Sequence, residues 1–332
     1  PLWLDKSGTA QAIADGGVTL GTLSTNAILA KYTGTSTDMM GTGTVTINGM
    51  SLLDFNGQTD TIGPVTIASS GAGGDTVPIT YTAGGGNLTI GALTITPLTG
   101  YRTTIESGSG TLTLSSNVTF TAAGSGRAIV NGALDLGTAT RTFTIGAGVA
   151  VEGGIEFDVP AVVTGVAGSG LTKAGTGVMR LTRANTLDGP VSITGVLRMN
   201  NAQALGVPSV ARTVSVAASS SLVLDGVGIS DPDGRFTVSL NGVGSATVGP
   251  ISGALVNGSG NNTVPCAITL AAASTIAVTN PADTLTLTGP MTAANLTLTV
   301  AGNGNTEIGG AMGLGTGGLT KNNLGLLELK AT

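Results

Sequence analysis

Gly170-Leu171-Thr172-Lys173 leads into Val178-Met179-Arg180-Leu181, and Gly318-Leu319-Thr320-Lys321 leads into Leu326-Leu327-Glu328-Leu329. Each stretch is a short extended phrase, a turn, and a second extended phrase. Such a recurrence in a chain almost empty of charge points to stacked coils of one architecture. Outward from it, Thr111-Leu112-Thr113-Leu114, Asn117-Val118-Thr119-Phe120, Thr142-Phe143-Thr144-Ile145, Thr284-Leu285-Thr286-Leu287 and Leu296-Thr297-Leu298-Thr299-Val300 all alternate. That period of two marks strands with one buried and one solvated face. Threonine on the outer face is β-branched, so it favours an extended backbone while keeping it wet. Gly84-Gly85-Gly86-Asn87, Ala123-Gly124-Ser125-Gly126 and Gly302-Asn303-Gly304-Asn305 supply the corners between strands. Helical spacing is nearly absent, and Thr9 to Ala14 and Asn200 to Leu205 have room for one turn each.

Composition narrows the class. Charged residues are 9% of the 332, against roughly 25% in ordinary soluble proteins. The 55 glycines follow no three-residue period, which excludes collagen, and the 41% hydrophobic content is enough for a core. The 13 basic residues are scattered and the net charge is -5, so nucleic acid is not an expected partner. No apolar run reaches the roughly 18 residues of a transmembrane helix, and a membrane barrel would want aromatic girdles. Membrane insertion of this segment is therefore not expected. Cys266 is the only cysteine, which rules out intramolecular disulfides. Two residues before Ile268 and four before Leu270, it reads as a small buried hydrophobe.

Leu285, Leu296, Ile308 and Leu319 fall at steps of 11, 12 and 11. A sandwich of this length would need several cores, usually with large aromatics. Inward residues here are mostly Leu, Ile, Val and Ala, which suit a narrow continuous core. The expectation is an all-β fold: a parallel, right-handed β-helix or β-solenoid over residues 1–332. Coils of about 20–30 residues give about 11–16 turns, a rod roughly 55–75 Å long. Four phrases recur in one order. From Leu52 to Leu222, Gly91 to Gly253, Thr111 to Thr284 and Gly170 to Gly318 the offsets are 170, 162, 173 and 148 residues. They suggest internal modules of approximately 49–206 and 220–332. A start at Pro1 and a stop just after a strand suggest an interval of a longer rod, or ends that stack on neighbouring copies.

The stretch Gly170 to Leu181, then Ala184-Asn185-Thr186, Gly189, Gly195-Val196-Leu197 and Asn200-Asn201-Ala202-Gln203-Ala204-Leu205-Gly206, resembles the passenger-associated repeat of bacterial autotransporters. Within it the repeat positions are Gly170, Leu171, Thr172, Lys173, Gly175, Gly177, Leu181 and Asn185. Gly318, Leu319, Thr320 and Lys321 carry the second copy, in which Asn322-Asn323-Leu324 replaces the Gly-rich turn. A looser similarity runs from Gly253 to Leu287. The resemblance implies a secreted or surface-exposed bacterial β-solenoid serving as stalk, adhesin or matrix component, with no cofactor.

Chemistry is sparse. With no His, Ser-His-Asp and Cys-His mechanisms and His-containing zinc sites are excluded. The best carboxylate cluster is Glu152, Glu156 and Asp158, where Glu156 and Asp158 would share a strand face as acid and nucleophile of a glycosidase. The plainer reading is a solvated acidic face near a bend. Asp231-Pro232-Asp233-Gly234 has half of a calcium loop and is more simply a turn. Gly71-Ala72-Gly73-Gly74-Asp75 looks like one isolated calcium-binding nonapeptide. Arg102, Arg127, Arg141, Arg180, Arg183 and Arg198 could form an outward row facing acids of another chain or anionic polysaccharide. Two readings follow. One is a non-catalytic structural solenoid, with or without an adhesive role, in a stalk, fibre or matrix filament, with copies of itself, flanking repeats or polysaccharide as partners. The alternative is a polysaccharide-acting β-helix enzyme or tailspike-like module.

Overall fold

The computed structural model describes residues 1–8, 11–23, 27–69, 75–80, 84–149, 151–207 and 209–330. The chain winds through successive coils of parallel strands, a β-solenoid of about 13 turns. Among the described residues the helical segments are two 3-10 turns, Glu152–Gly154 and Ala246–Val248. Two compact units divide it, Pro1–Ser169 and Gly170–Thr332.

In the first unit one face is built from Val18–Leu20, Val45–Asn48, Val65–Ala68, Leu93–Ile95, Val118–Phe120 and Arg141–Ile145. Parallel pairing in register places like on like. Val45, Val65, Leu93, Val118 and Phe143 form one inward file, and Ile47, Ile67, Ile95, Phe120 and Ile145 form the next. Between them Thr46, Thr66, Thr94, Thr119 and Thr144 make an outward file. Neighbouring coils lie about 4.8 Å apart, so each inward methyl group meets its counterpart above and below. The strands Arg102–Leu114 and Arg127–Asp135 cross from a second face to a third, and their register breaks between Glu106 and Thr111. Phe157 packs edge-on against Phe120 and Phe143, each 5.9 Å away. All five phenylalanines of the chain are buried, whereas Trp3 is exposed.

In the second unit the first face carries seven strands, from Leu171–Ala174 to Met312–Gly313. The second face runs through Val178–Leu181, Val196–Met199, Ser221–Asp225, Leu255–Ser259, Ser274–Val278, Leu298–Gly302 and Leu319–Lys321. A third face joins late, as Asn262–Val264, Thr284–Leu287, Asn305–Ile308 and Leu327–Leu329. Coil length varies from 18 residues, Val178 to Val196, to 33, Leu222 to Leu255, and settles at 21, Leu298 to Leu319. The steps of 11 and 12 in the sequence do not measure the coil: Leu285 pairs with Thr306 and Leu298 with Leu319, each 21 residues on.

The alternating segments lie in strands as expected, apart from Asn117, just ahead of Val118–Phe120, and the start of the last segment. Leu296 and Thr297 stand outside the strand, which begins at Leu298. Ala294 and Asn295 both take left-handed conformations (φ 44° and 71°), and Leu296 N–H donates to Ala293 O at 2.8 Å. That turn delays the start of the strand by two residues, to Leu298. Cys266 is buried beside Ile268 and Leu270 in the inward file, and burial pushes its thiol up to about 12. Gly71–Gly74 of the nonapeptide-like phrase lie outside the described residues.

Asp60 is one of several buried acids in the first unit. Asp60 accepts from Tyr32 Oη at 2.5 Å and Met40 N at 3.1 Å through Oδ2, and from Thr61 N at 2.8 Å through Oδ1. Burial raises its pKa from the ordinary 3.8, while the Tyr32 hydroxyl and the two amides pull the other way. A raised carboxyl binds its proton more tightly when folded. Its contribution to stability is fully present below the ordinary aspartate value and declines as pH rises through the raised one. Tyr32→Phe removes a donor that favours the charged form. The expected loss is about 1–3 kcal/mol at neutral pH, shrinking as the pH falls below the Asp60 transition. Urea unfolding at several pH values reads this, and a loss independent of pH would refute it.

Candidate functional site

The repeat phrase builds a corner. Leu171 points inward from the first face, and the next inward position is Lys173, whose side chain is 0% exposed. A lone buried ammonium would be prohibitively costly. Lys173 Nζ instead donates to Ala174 O at 2.9 Å, Gly175 O at 2.8 Å and Thr194 O at 3.2 Å. Three N–H donors thus meet three carbonyls. Two belong to its own corner and the third to the corner of the next coil. The backbone is shaped around this contact. Gly175 holds φ 79° and Gly195 φ 85°, and a Cβ on Gly195 would stand 2.1 Å from Gly175 O and 3.1 Å from the ammonium. Gly170 is confined by Pro190 O, 2.2 Å from where its Cβ would be.

The rest of the phrase closes the coil's irregular side. Asn185, buried, accepts the neighbouring coil through two contacts: its N–H donates to Gln203 O at 3.0 Å and its Nδ2 to Ala204 O at 2.7 Å. The Ala184-Asn185-Thr186 and Asn200–Gly206 phrases therefore dock on each other one coil apart. The second copy repeats the chemistry at another place. Leu319–Lys321 lies on the second face, whereas Leu171–Ala174 lies on the first. Lys321 Nζ donates to Asn322 O at 2.6 Å and Asn323 O at 3.1 Å. Asn323, at φ 63°, takes the left-handed position of Gly175, a conformation asparagine tolerates. The departure from the Gly-rich turn thus preserves the turn.

A further buried cation escaped the sequence reading. Arg212 donates to Gly189 O through Nη1 and to Leu205 O through Nη2, with its guanidinium 4.8 Å from the Phe236 ring centre. Burial lowers its pKa to about 10, against the pull of Asp188. A lone Arg opening an alternating strand gives little warning of such a role.

Two of the three acids, Glu156 and Asp158, are not solvated. They are 5% and 7% exposed, and Glu156 Oε1 accepts from Gly148 N at 3.0 Å. Glu156 precedes the strand Phe157–Val159, and Asp158 lies opposite Ile129 of the preceding coil. Glu152 lies in the 3-10 turn Glu152–Gly154, and its side chain is outside the described residues. The arginines do not form one outward row either. Arg102 stacks on Arg127 and Arg180 on Arg198, but Arg141 is buried with Nε donating to Leu136 O at 2.7 Å. Arg198 is held by Asp225. Asp231 caps its own turn, accepting from Arg235 N at 2.8 Å and Phe236 N at 3.1 Å. Among the described residues no cluster of three or more Cys, Asp or Glu could hold a metal ion.

Over 145 residues, 41% of this chain, the sequence is 35% identical to the Adhesin BmaC autotransporter of Brucella suis biovar 1 (strain 1330). The match spans 4% of that adhesin's length. No protein-family profile and no solved structure matches the chain. The similarity, the β-solenoid and the repeat phrase are together consistent with an autotransporter-passenger-like chain.

Lys173→Met should cost about 2–4 kcal/mol, because three buried carbonyls lose a charged donor. Lys321→Met should cost under about 1 kcal/mol, since its site is partly open to water. Urea unfolding of the full chain compares them; equal losses would sink the clamp interpretation.

Proposed function

We propose that this relative of an autotransporter adhesin is a secreted or cell-surface β-solenoid, non-catalytic and adhesive, forming part of a long stalk, fibre or matrix filament. The similarity to the adhesin carries the reading. The use of the repeat residues supports it: Lys173, Gly195 and Asn185 serve coil-to-coil closure. The burial of Glu156 and Asp158 speaks for a structural role there as well, since acid and nucleophile must reach a sugar. The partners proposed are flanking repeats or copies of itself along the filament, and polysaccharide on the target surface.

Antibodies against this chain should label intact bacteria that carry it, and beads coated with the purified chain should adhere to host cells or matrix. Glu156→Gln with Asp158→Asn should leave adhesion within about twofold. Labelling only after the cells are broken would overturn the location. Release of reducing sugar from a polysaccharide, abolished by the double substitution, would favour the enzyme.

A further inference from the structure

In the second unit the corner between first and second faces is short: Ala174 to Val178, Ile193 to Val196, Val216 to Ser221, Leu270 to Ser274. One corner breaks the rule. Between Leu240 and Leu255 the chain makes an excursion, the source of the 33-residue coil. Its neck is pinched where Gly244, at φ 88°, leaves no room for a Cβ against Gly253 O, 2.2 Å away. Ser221 Oγ fixes both sides of the neck, accepting from Ser245 N at 2.9 Å and donating to Gly253 O at 2.7 Å. Ser245 Oγ then caps the 3-10 turn by accepting from Thr247 N at 3.3 Å. The excursion is a constructed feature.

It lies over the outer side of the second face. Leu298 and Val300 point inward, so by register Ile276, Leu255 and Leu222 do as well. Val223, Val256 and Ala277 then point outward, yet all three are buried. At its margin the excursion leaves a cleft of about 340 Å³, within the range of small-ligand sites. Val248, Pro250 and Ile251 form its apolar wall, and Arg198, Thr279 and Asn303 its polar side.

The polar side has a definite character. Arg198 donates to Asp225 through Nε at 2.8 Å and Nη2 at 3.2 Å. The pair is neutral overall and leaves Nη1 outside the fork. The single proton of Thr279 Oγ1 is shared between Asn257 O at 3.1 Å and Gly258 O at 3.0 Å, so toward a ligand this oxygen serves as an acceptor. Asn303, half-exposed, offers an amide donor and acceptor together. Donors and acceptors without net charge, opposite an apolar wall, match a ring with hydroxyls on one edge and C–H groups on one face. We infer that this cleft binds a neutral pyranose unit of a glycan.

The inference deepens the adhesive reading but can fail apart from it. Saturation-transfer NMR on the full chain, with methyl α-mannoside, methyl β-galactoside and glucuronate as probes, tests it. A neutral glycoside should receive saturation, most strongly at its C–H protons. Asn303→Ala and Ile251→Asp, both at accessible positions and checked by circular dichroism, should each weaken binding about tenfold. Three results would overturn it: no transfer to either neutral glycoside, transfer that survives both substitutions, or transfer to glucuronate alone. Coated beads that still adhere while the cleft stays silent would leave adhesion standing without this site.

Discussion

Everything in this chain depends on parallel pairing that holds each residue directly over its equivalent in the next coil. The backbone hydrogen bonds fix the spacing, and the side chains must then suit one repeated environment. Val45, Val65, Leu93 and Val118 can stack in a file because apolar, branched side chains of similar volume tile without gaps. The threonine file on the other side satisfies the same spacing in water. A large or charged inward residue would be multiplied against its neighbours. This explains why charge is rare and why Phe120 and Phe143 pack against Phe157.

Corners are where that economy is strained, because inward carbonyls there have no strand partner. The chain answers with buried cations and amides. Lys173 and Arg212 each bring N–H donors to carbonyls of an adjacent coil or corner, and Asn185 does the same without charge. A cation among carbonyl dipoles is desolvated, but its donors are satisfied, which separates these sites from an unpaired buried charge.

The strands were legible because alternation is a direct consequence of a pleated backbone with one wet face. Thr284 to Leu287 could hardly be anything else. Turn positions were less legible, since Ala294 gives no compositional warning of left-handed geometry, though Asn295 does. The role of Lys173 was hidden by a sound general rule, that lysine stays at the surface. The repeat phrase itself was visible, but not its placement: local residues encode a strand–corner–strand shape, and the two copies use it on different faces. Glu156 and Asp158 were read as solvated because burial of acids depends on neighbours a coil away. The excursion after Leu240 could have been suspected from the 14 residues that separate two clear strands, with Gly242, Gly244, Gly249 and Pro250 among them.

The Lys173 contact has a consequence for the order of assembly. Its third acceptor, Thr194 O, lies 21 residues further along the chain. Until that segment is laid down, the ammonium keeps part of its hydration and the corner stays unlocked. The Lys173 corner is therefore completed by the coil that comes after it. A chain that emerges progressively would gain its final rigidity one coil behind the growing edge, with the lysine as the latch that registers arrival.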